Sequence, residues 1–469
     1  MPRPNSLLRA ARERLPSAVA PGDHASRAEV AEAVNEWLWQ TTGRHCALDA
    51  HYVAKLERGV VRWPNASYRA GLRHLLDAVD DAALGFTPTR RAVSGPRSQV
   101  APAPPWDTGL VIERTSSVTD HDLMPPNRRR VLTGMATLAG AALVRELQPL
   151  LWPVACEAES TGAAFSPPEL DAADQLVRVL RSWHSTHGPL SRPTVIAQLG
   201  AHVRRLRAAP QGTPESSRSF RIGAELADIA ATMSWDAGEH ASAQRYFVLA
   251  AQLAHVAGDD TLAAVALASL ARQCFDLGRP NDGLEVVQLA QYGTRNCATP
   301  RLRAVLATRE AWAHAQRGEA GAFRRAVGLA EDYHSEGVCE LDLRTPSTRS
   351  LDDAELAGVI GARYRDLARH DTTHARTAQD YIGRALRLRH PDRARNRVFD
   401  LVGLARAHLI TREPDRAAAL IHDALPSAAT WAAGRVGARL RDFHREAAPF
   451  ATMPEMRDAR AAIAALIAA

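Results

Sequence analysis

Three glycines set 40 residues apart constrain this chain more than any other feature. Gly238, Gly278 and Gly318 lie in the blocks WDAGEHASAQRYFVLAAQLA, FDLGRPNDGLEVVQLAQYG and HAQRGEAGAFRRAVGLAEDY. In each block one helical pattern stops at the glycine and another begins two to five residues later. Glycine suits that position because it takes the left-handed backbone that ends a helix. A period near 40 with two helices per unit marks an α-solenoid, in which stacked hairpins bury a core that no single hairpin could bury alone. LARHDTTHARTAQDYIGRAL and LITREPDRAAALIHDAL read as two later copies with the glycine replaced. An insertion, Cys339–Asp353, separates them from the first three.

The composition agrees with helices. Hydrophobic residues make up 46% and aromatics only 5%, so the core must be built from Ala, Leu and Val. A length of 469 residues suggests two to three domains. The expected partition is an N-terminal domain at 1–87, a flexible linker at 88–127, an apolar connecting helix at 128–165 and the repeat domain at 166–469. The linker reading comes from PTRRAVSGPRSQVAPAPPWD, which is rich in Pro, Ser and Ala and has no helical period. Asn127–Leu132 has the look of a twin-arginine export motif, followed by an apolar run to Val144. That run is too short to span a bilayer, so a buried helix is expected, with a membrane tether as the alternative. Beyond Pro168, Leu170, Ala173, Leu176, Val177, Leu180 and Trp183 fall on one helix face.

The N-terminal domain centres on Ser26–Pro64. Ser26 with Glu29 has capping-box spacing and starts one helix, along which Val30, Val34 and Trp37 recur. Asp49 caps a second, short helix, AHYVAKLER, which Gly59 ends and Pro64 keeps from restarting. Val53 and Leu56 point to the core, leaving His51, Tyr52, Lys55 and Arg58 outward. A short capped helix with a cationic outer face is what a DNA major groove accepts. Lys55 is the single lysine among the 58 basic residues. Leu7, Leu8, Ala11 and Leu15 form the stripe of a preceding helix. Leu72, Leu75, Leu76 and Val79 line a following one, and Leu84–Phe86 closes the domain.

Over roughly residues 5–86 the pattern resembles the lambda-repressor-like, or XRE, helix-turn-helix family. The matching pieces are LLRAARERL, SRAEVAEAV and YVAKLERG followed by Trp63-Pro64. Actinobacterial regulators with the phrase LDAHYVAKLERG…RWP…YR look most similar. The resemblance implies base contacts from Ala50, His51, Tyr52 and Lys55. It implies a phosphate contact from Arg27 and phosphate or sugar contacts from Arg58, Arg62 and Asn65. It also implies an ion pair between Arg12 and Glu57, read as structural, with phosphate contact by Arg12 as the alternative. Trp63 is expected in the core. The repeat region resembles a tetratricopeptide-type array, whose usual period is ~34 residues, so each helix here is about a turn longer.

Nothing in the sequence asks for catalysis. There is no G-x-G-x-x-G after a strand, no Walker lysine, no H-E-x-x-H and no G-x-S-x-G. His370 and His374 would share a helix face, but they read as solvent-facing or capping residues, as do His184 and His187, and no metal or cofactor is expected. Asp352, Asp353, Glu331 and Asp332 read as solvated charge. Cys46, Cys156, Cys274, Cys297 and Cys339 contain no C-x-x-C pair, and the charged N-terminus lacks the apolar segment of a secretory signal. Both suit a cytoplasmic protein. The net charge of +6 leans toward polyanion partners.

The expected protein is therefore all-α and not an enzyme: a DNA-binding transcriptional regulator. Its partners would be a double-stranded operator, a second copy in a homodimer, and a peptide or small molecule in the concave face of the array, with no membrane. By analogy it is similar to peptide-pheromone-sensing regulators. The alternative is a protein-interaction scaffold whose helix-turn-helix does not bind DNA.

Overall fold

The short capped helices and alanine-rich repeats predict helix throughout, and helix is what the chain forms. The computed structural model describes residues 4–20, 22–42, 48–64, 66–86, 106–123, 137–151, 165–432 and 434–468. Among these residues every regular element is helical, and the fold is all-α. The chain divides into two compact units, 1–101 and 102–469.

The first unit holds α1 (Ser6–Glu13), α2 (Arg27–Thr42), α3 (Ala50–Glu57) and α4 (Ala66–Leu75). Leu8, Val30, Val34, Val53, Leu56 and Leu72 meet in one core, with Leu84 and Phe86 closing it as expected. Leu7 and Val79 depart from expectation. Both are exposed, Leu7 because it falls outside the Leu8–Ala11 stripe and Val79 because α4 ends four residues earlier. Trp37 is half-buried and stacks on His74 with ring centroids 4.8 Å apart. Asn5, not singled out in the sequence, ties the unit together. Its Oδ1 accepts from Leu8 N and its Nδ2 donates to Leu84 O, while its backbone N–H donates to Glu57 O. Gly85 meets Asn5 with φ +67° in a space that a Cβ would occupy, so this position requires glycine.

The second unit starts earlier than the sequence suggests. Within the stretch expected to be a tether, α5 (Thr108–Leu123) is a 16-residue helix with Val111, Ile112, Thr115 and Thr119 buried. Its threonines disguise it. Thr115 Oγ1 donates to Val111 O and Thr119 Oγ1 to Thr115 O, so the buried hydroxyls are satisfied within the helix. Of the apolar run, 128–136 lies outside the described residues. Its end forms an extended piece, Thr137–Gly140, and then α6 (Ala141–Leu147), which buries Leu143 and Leu147.

The remaining helices are α7 (Pro167–His187), α8 (Arg192–Ala208), α9 (Pro214–Asp236), α10 (His240–Val256), α11 (Asp260–Asp276), α12 (Pro280–Gly293), α13 (Pro300–Arg317) and α14 (Ala320–Ser335). After the insertion, which contains the one-turn α15 (Pro346–Arg349), come α16 (Asp353–Leu367), α17 (Ala375–Leu388), α18 (Ala394–Ile410), α19 (Pro414–Ala428), α20 (Arg435–Glu446) and α21 (Pro454–Ala468). α5 packs on α8 and α10, and Gly200 of α8 lets Thr119 come close: a Cβ there would lie 3.0 Å from Thr119 Oγ1. No helix among the described residues is long and apolar enough to cross a membrane.

The glycine period has a repeated local structure. Gly238, Gly278 and Gly318 have φ of +79°, +69° and +74°, at the ends of α9, α11 and α13. In all three the following residue donates its N–H five residues back, to Ser234 O, Cys274 O and His314 O. Arg412 takes the same left-handed backbone at φ +59° after α18, and Glu413 N donates to His408 O. Neighbouring helices pack as pairs: α9 with α10, α11 with α12, α13 with α14, α16 with α17, and α18 with α19. The first helices of successive pairs also touch, giving the row α9, α11, α13, α16, α18 and then α20.

Several sequence expectations fail in this unit. Trp183 is half exposed rather than on the buried face of α7. His184 is buried, with Nε2 2.9 Å from Asp236 Oδ2, because the end of α9 brings a carboxylate to it. His370 and His374 do not share a helix: His370 follows α16, and His374 ends a separate 3-10 turn, Thr372–His374. Of the carboxylates expected to be solvated, Glu331 is engaged by the Tyr381 hydroxyl at 2.8 Å, whereas Asp353 meets His334 at 2.7 Å and is still 70% exposed.

Candidate nucleic-acid interface

The first unit presents its cations through α3. Asp49 has extended backbone, and its Oδ1 accepts from Tyr52 N at 2.6 Å. Gly59, at φ +71°, stops the helix after a single further residue. Upstream, Ser26 and Glu29 exchange hydrogen bonds, with Ser26 N donating to Glu29 Oε2 and Glu29 N to Ser26 Oγ. Three further donors, Ser17 Oγ and the N–H groups of Ala18 and Val19, converge on Glu29 Oε1. The Ser26 N–H, then the Ser17 and Ser26 side chains, hold the Glu29 carboxyl down at about 2. This carboxylate fixes the connection between α1 and α2.

The orientation of α3 comes from beneath. Glu57 is buried and its two oxygens are both taken. Oε1 accepts from Arg12 Nε at 2.6 Å and Oε2 from Arg27 Nε at 2.7 Å. Arg12 is buried too, and its Nη1 donates to Ala25 O. The pairing of Arg12 with Glu57 is thus present as an internal strut. Arg27, for which a phosphate contact is implied, pairs with Glu57 through the carboxylate oxygen that Arg12 leaves open, while its side chain stays 45% exposed.

The remaining implied contacts divide three ways. Ala50, His51, Arg58 and Arg62 are exposed. Lys55 is half-buried, its stem against the unit. Tyr52 turns inward, half-buried and edge-on to Tyr68 at 5.6 Å. Asn65 lies outside the described residues. Among the described residues no carboxylate lies within ion-pair reach of His51, Lys55, Arg58 or Arg62, and the one carboxylate beginning the helix, Asp49, is occupied in capping.

Trp63 is neither core nor free. It remains 37% exposed and lies under the guanidinium of Arg69, 3.9 Å from the ring centroid. Arg69 also donates to Pro64 O at 2.7 Å and pairs with Asp81, which Arg73 shares. The phrase RWP…YR is therefore a contact: the second arginine clamps the Trp-Pro that leaves α3. The sequence carried both halves of this contact without indicating that they meet.

Comparisons of the chain with family models, with curated proteins and with solved structures found no match. Among the described residues no group of three or more His, Cys, Asp or Glu side chains is arranged to hold a metal ion.

Proposed function

We propose that this chain is a transcriptional regulator of the XRE, lambda-repressor-like type. Its first unit is a helix-turn-helix reader of double-stranded DNA, and its second a tetratricopeptide-like solenoid that senses a ligand and pairs two copies in the cytoplasm. The observation that carries this reading is the outer side of α3. Two basic side chains on the helix, His51 and Lys55, and two that follow it, Arg58 and Arg62, stand without a carboxylate partner among the described residues; the helix is capped at its start and strutted from below by Glu57. The row of first helices in the second unit supports the sensor half, since such rows line the inner face of a helical array.

Lys55 and His51 are the base-reading candidates, with Ala50 beside a thymine methyl. Arg58 and Arg62 are the phosphate-contact candidates. A mobility shift with the DNA upstream of the protein's own gene, taken across a salt series, tests this. Binding is expected to weaken steeply as salt rises. His51→Ala with Lys55→Ala is expected to cost ~1–3 kcal/mol per base contact. Absence of any shift at low salt would leave the scaffold reading in its place.

A further inference from the structure

The second unit encloses an arginine-rich cavity of about 390 Å³. Its walls come from the row α11, α13, α16, α18 and α20. Nine arginines line it against five carboxylates, a surplus of four positive charges. Partners behind the walls do not remove this surplus. Arg309 and Arg395 bring two more cations, and Asp236 and Glu446 two more anions.

The surplus is localised. Arg435 and Arg439 have carboxylate partners at 2.5 Å in Asp236 and Asp276. Arg272 and Arg309 have none among the described residues. Arg309 Nη1 reaches only the Thr308 hydroxyl, and Arg272 only the face of Trp235, 5.4 Å from its centroid. Arg365 and Arg406 are more than nine-tenths buried and pair with Asp366 and Glu446, yet each keeps one guanidinium nitrogen without a hydrogen bond, Nε of Arg365 and Nη1 of Arg406, the latter 3.5 Å from Asp442. Arg363 lies over Trp312, 3.2 Å from the ring centroid, and pairs with Asp366 at 3.0 Å, with its Nε unpartnered. Burial, with repulsion from neighbouring guanidiniums, pulls Arg272 down to about 10 and Arg363 down to about 9, and holds Arg309 well below the ordinary arginine range.

Buried donors without acceptors and buried like charges both cost stability unless a counter-ion supplies what is missing. Contact with the faces of Trp235 and Trp312 helps hold Arg272 and Arg363 in place without adding negative charge. Forked guanidiniums match phosphate oxygens in pairs. Each phosphate brings about −1.5 to −2 charge, so two or three balance the surplus, whereas a carboxylate ligand would need four groups in the same space. The volume is that of a small-molecule site and excludes a duplex.

We propose that this cavity binds a small phosphorylated polyanion, bearing two or more phosphate groups, through Arg272, Arg363, Arg365 and Arg406, with Arg309 adding positive charge behind Arg272. As the signal received by a regulator it rests on the reading above; as a binding site it stands without it.

Calorimetry on the full chain, with pyrophosphate and tripolyphosphate as probes and sulfate at matched ionic strength, tests this. Saturable binding at one site per chain and a raised melting temperature are expected for the two polyphosphates and not for sulfate. Arg272→Met with Arg309→Met is expected to bind about 10- to 100-fold more weakly, through loss of charge-assisted hydrogen bonds from Arg272 and of the Arg309 charge behind it. Without ligand it should melt no lower than the parent, since unpaired buried charge has been removed. The corresponding double lysine variant keeps the charge without the fork and should fall between. No saturable binding, equal binding of sulfate, or undiminished binding by the methionine variant overturns the proposal. So does loss of binding in His51→Ala with Lys55→Ala, which would put the anion on the first unit. No DNA is present in the calorimetry, so its failure and failure of the mobility shift are read separately.

Discussion

Glu57 in the first unit and Asp236 in the second make the same arrangement with different reach. Each is a buried carboxylate holding two arginines, Arg12 and Arg27 for Glu57, Arg395 and Arg435 for Asp236. Glu57 joins parts of one small unit. Asp236 joins α9 to α18 and α20, across 159 and 199 residues, and takes His184 of α7 as well. What remains after these pairings also differs. In the first unit the spare cations stand in water, where they cost little and can meet a polyanion. In the second they face a walled space, where the same charge is a strain on the fold until an anion arrives.

Replacing each carboxylate tests whether the two are equivalent. Asp236→Asn is expected to show the largest loss, at the upper end of the ~3–5 kcal/mol for breaking a buried pair, because two arginines lose their anion and His184 loses its carboxylate hydrogen-bond partner. Urea unfolding of the full chain measures it, and parent-like unfolding would remove Asp236 as the tie between distant helices. Glu57→Gln is expected to cost less, roughly 3 kcal/mol, since Arg27 is partly solvated and can turn to water. Its effect should also appear as loss of DNA binding; a variant that shifts DNA normally would show that the strut does not position α3.

Acid sharpens the same contrast. Burial raises the Asp236 carboxyl, but Arg435, the His184 hydrogen bond and Arg395 more than offset this and hold it well below its ordinary 3.8. A carboxylate depressed on folding contributes stability that is present above its unfolded value and is lost as pH falls through the folded one. The second unit should therefore weaken progressively below about pH 4. Urea midpoints across that range should fall more steeply for the parent than for Asp236→Asn; parallel slopes would count against the assignment. The smallest effect belongs to the free cations of the first unit. Arg58→Ala and Arg62→Ala should leave folding unchanged and each lower the salt slope of DNA binding by about 1. An unchanged slope would place that arginine off the phosphate backbone.

The parts legible in the sequence are those decided by near neighbours. Asp49, Gly59 and the Ser26–Glu29 pair are capping features, where a side chain meets backbone three residues away. The glycine period is legible for the same reason, since a helix must stop wherever it recurs. The α5 helix was hidden because its buried positions include threonines, and a threonine satisfied by its own helix is indistinguishable in sequence from one in a tether. The partners of Arg27, Tyr52 and Trp63 are not legible because each has a choice that only the packed unit settles: Glu57, Tyr68 and Arg69.

The sequence by itself determined that the chain is helical, where many of its helices begin and end, and which short helix carries the only lysine. The tertiary structure alone decided which charges are spent and which are left over. A cap is closed within one turn, so its outcome is written locally. An ion pair across 199 residues, or a surplus of arginines in one cavity, exists only after distant helices have been brought together by the apolar faces that they bury.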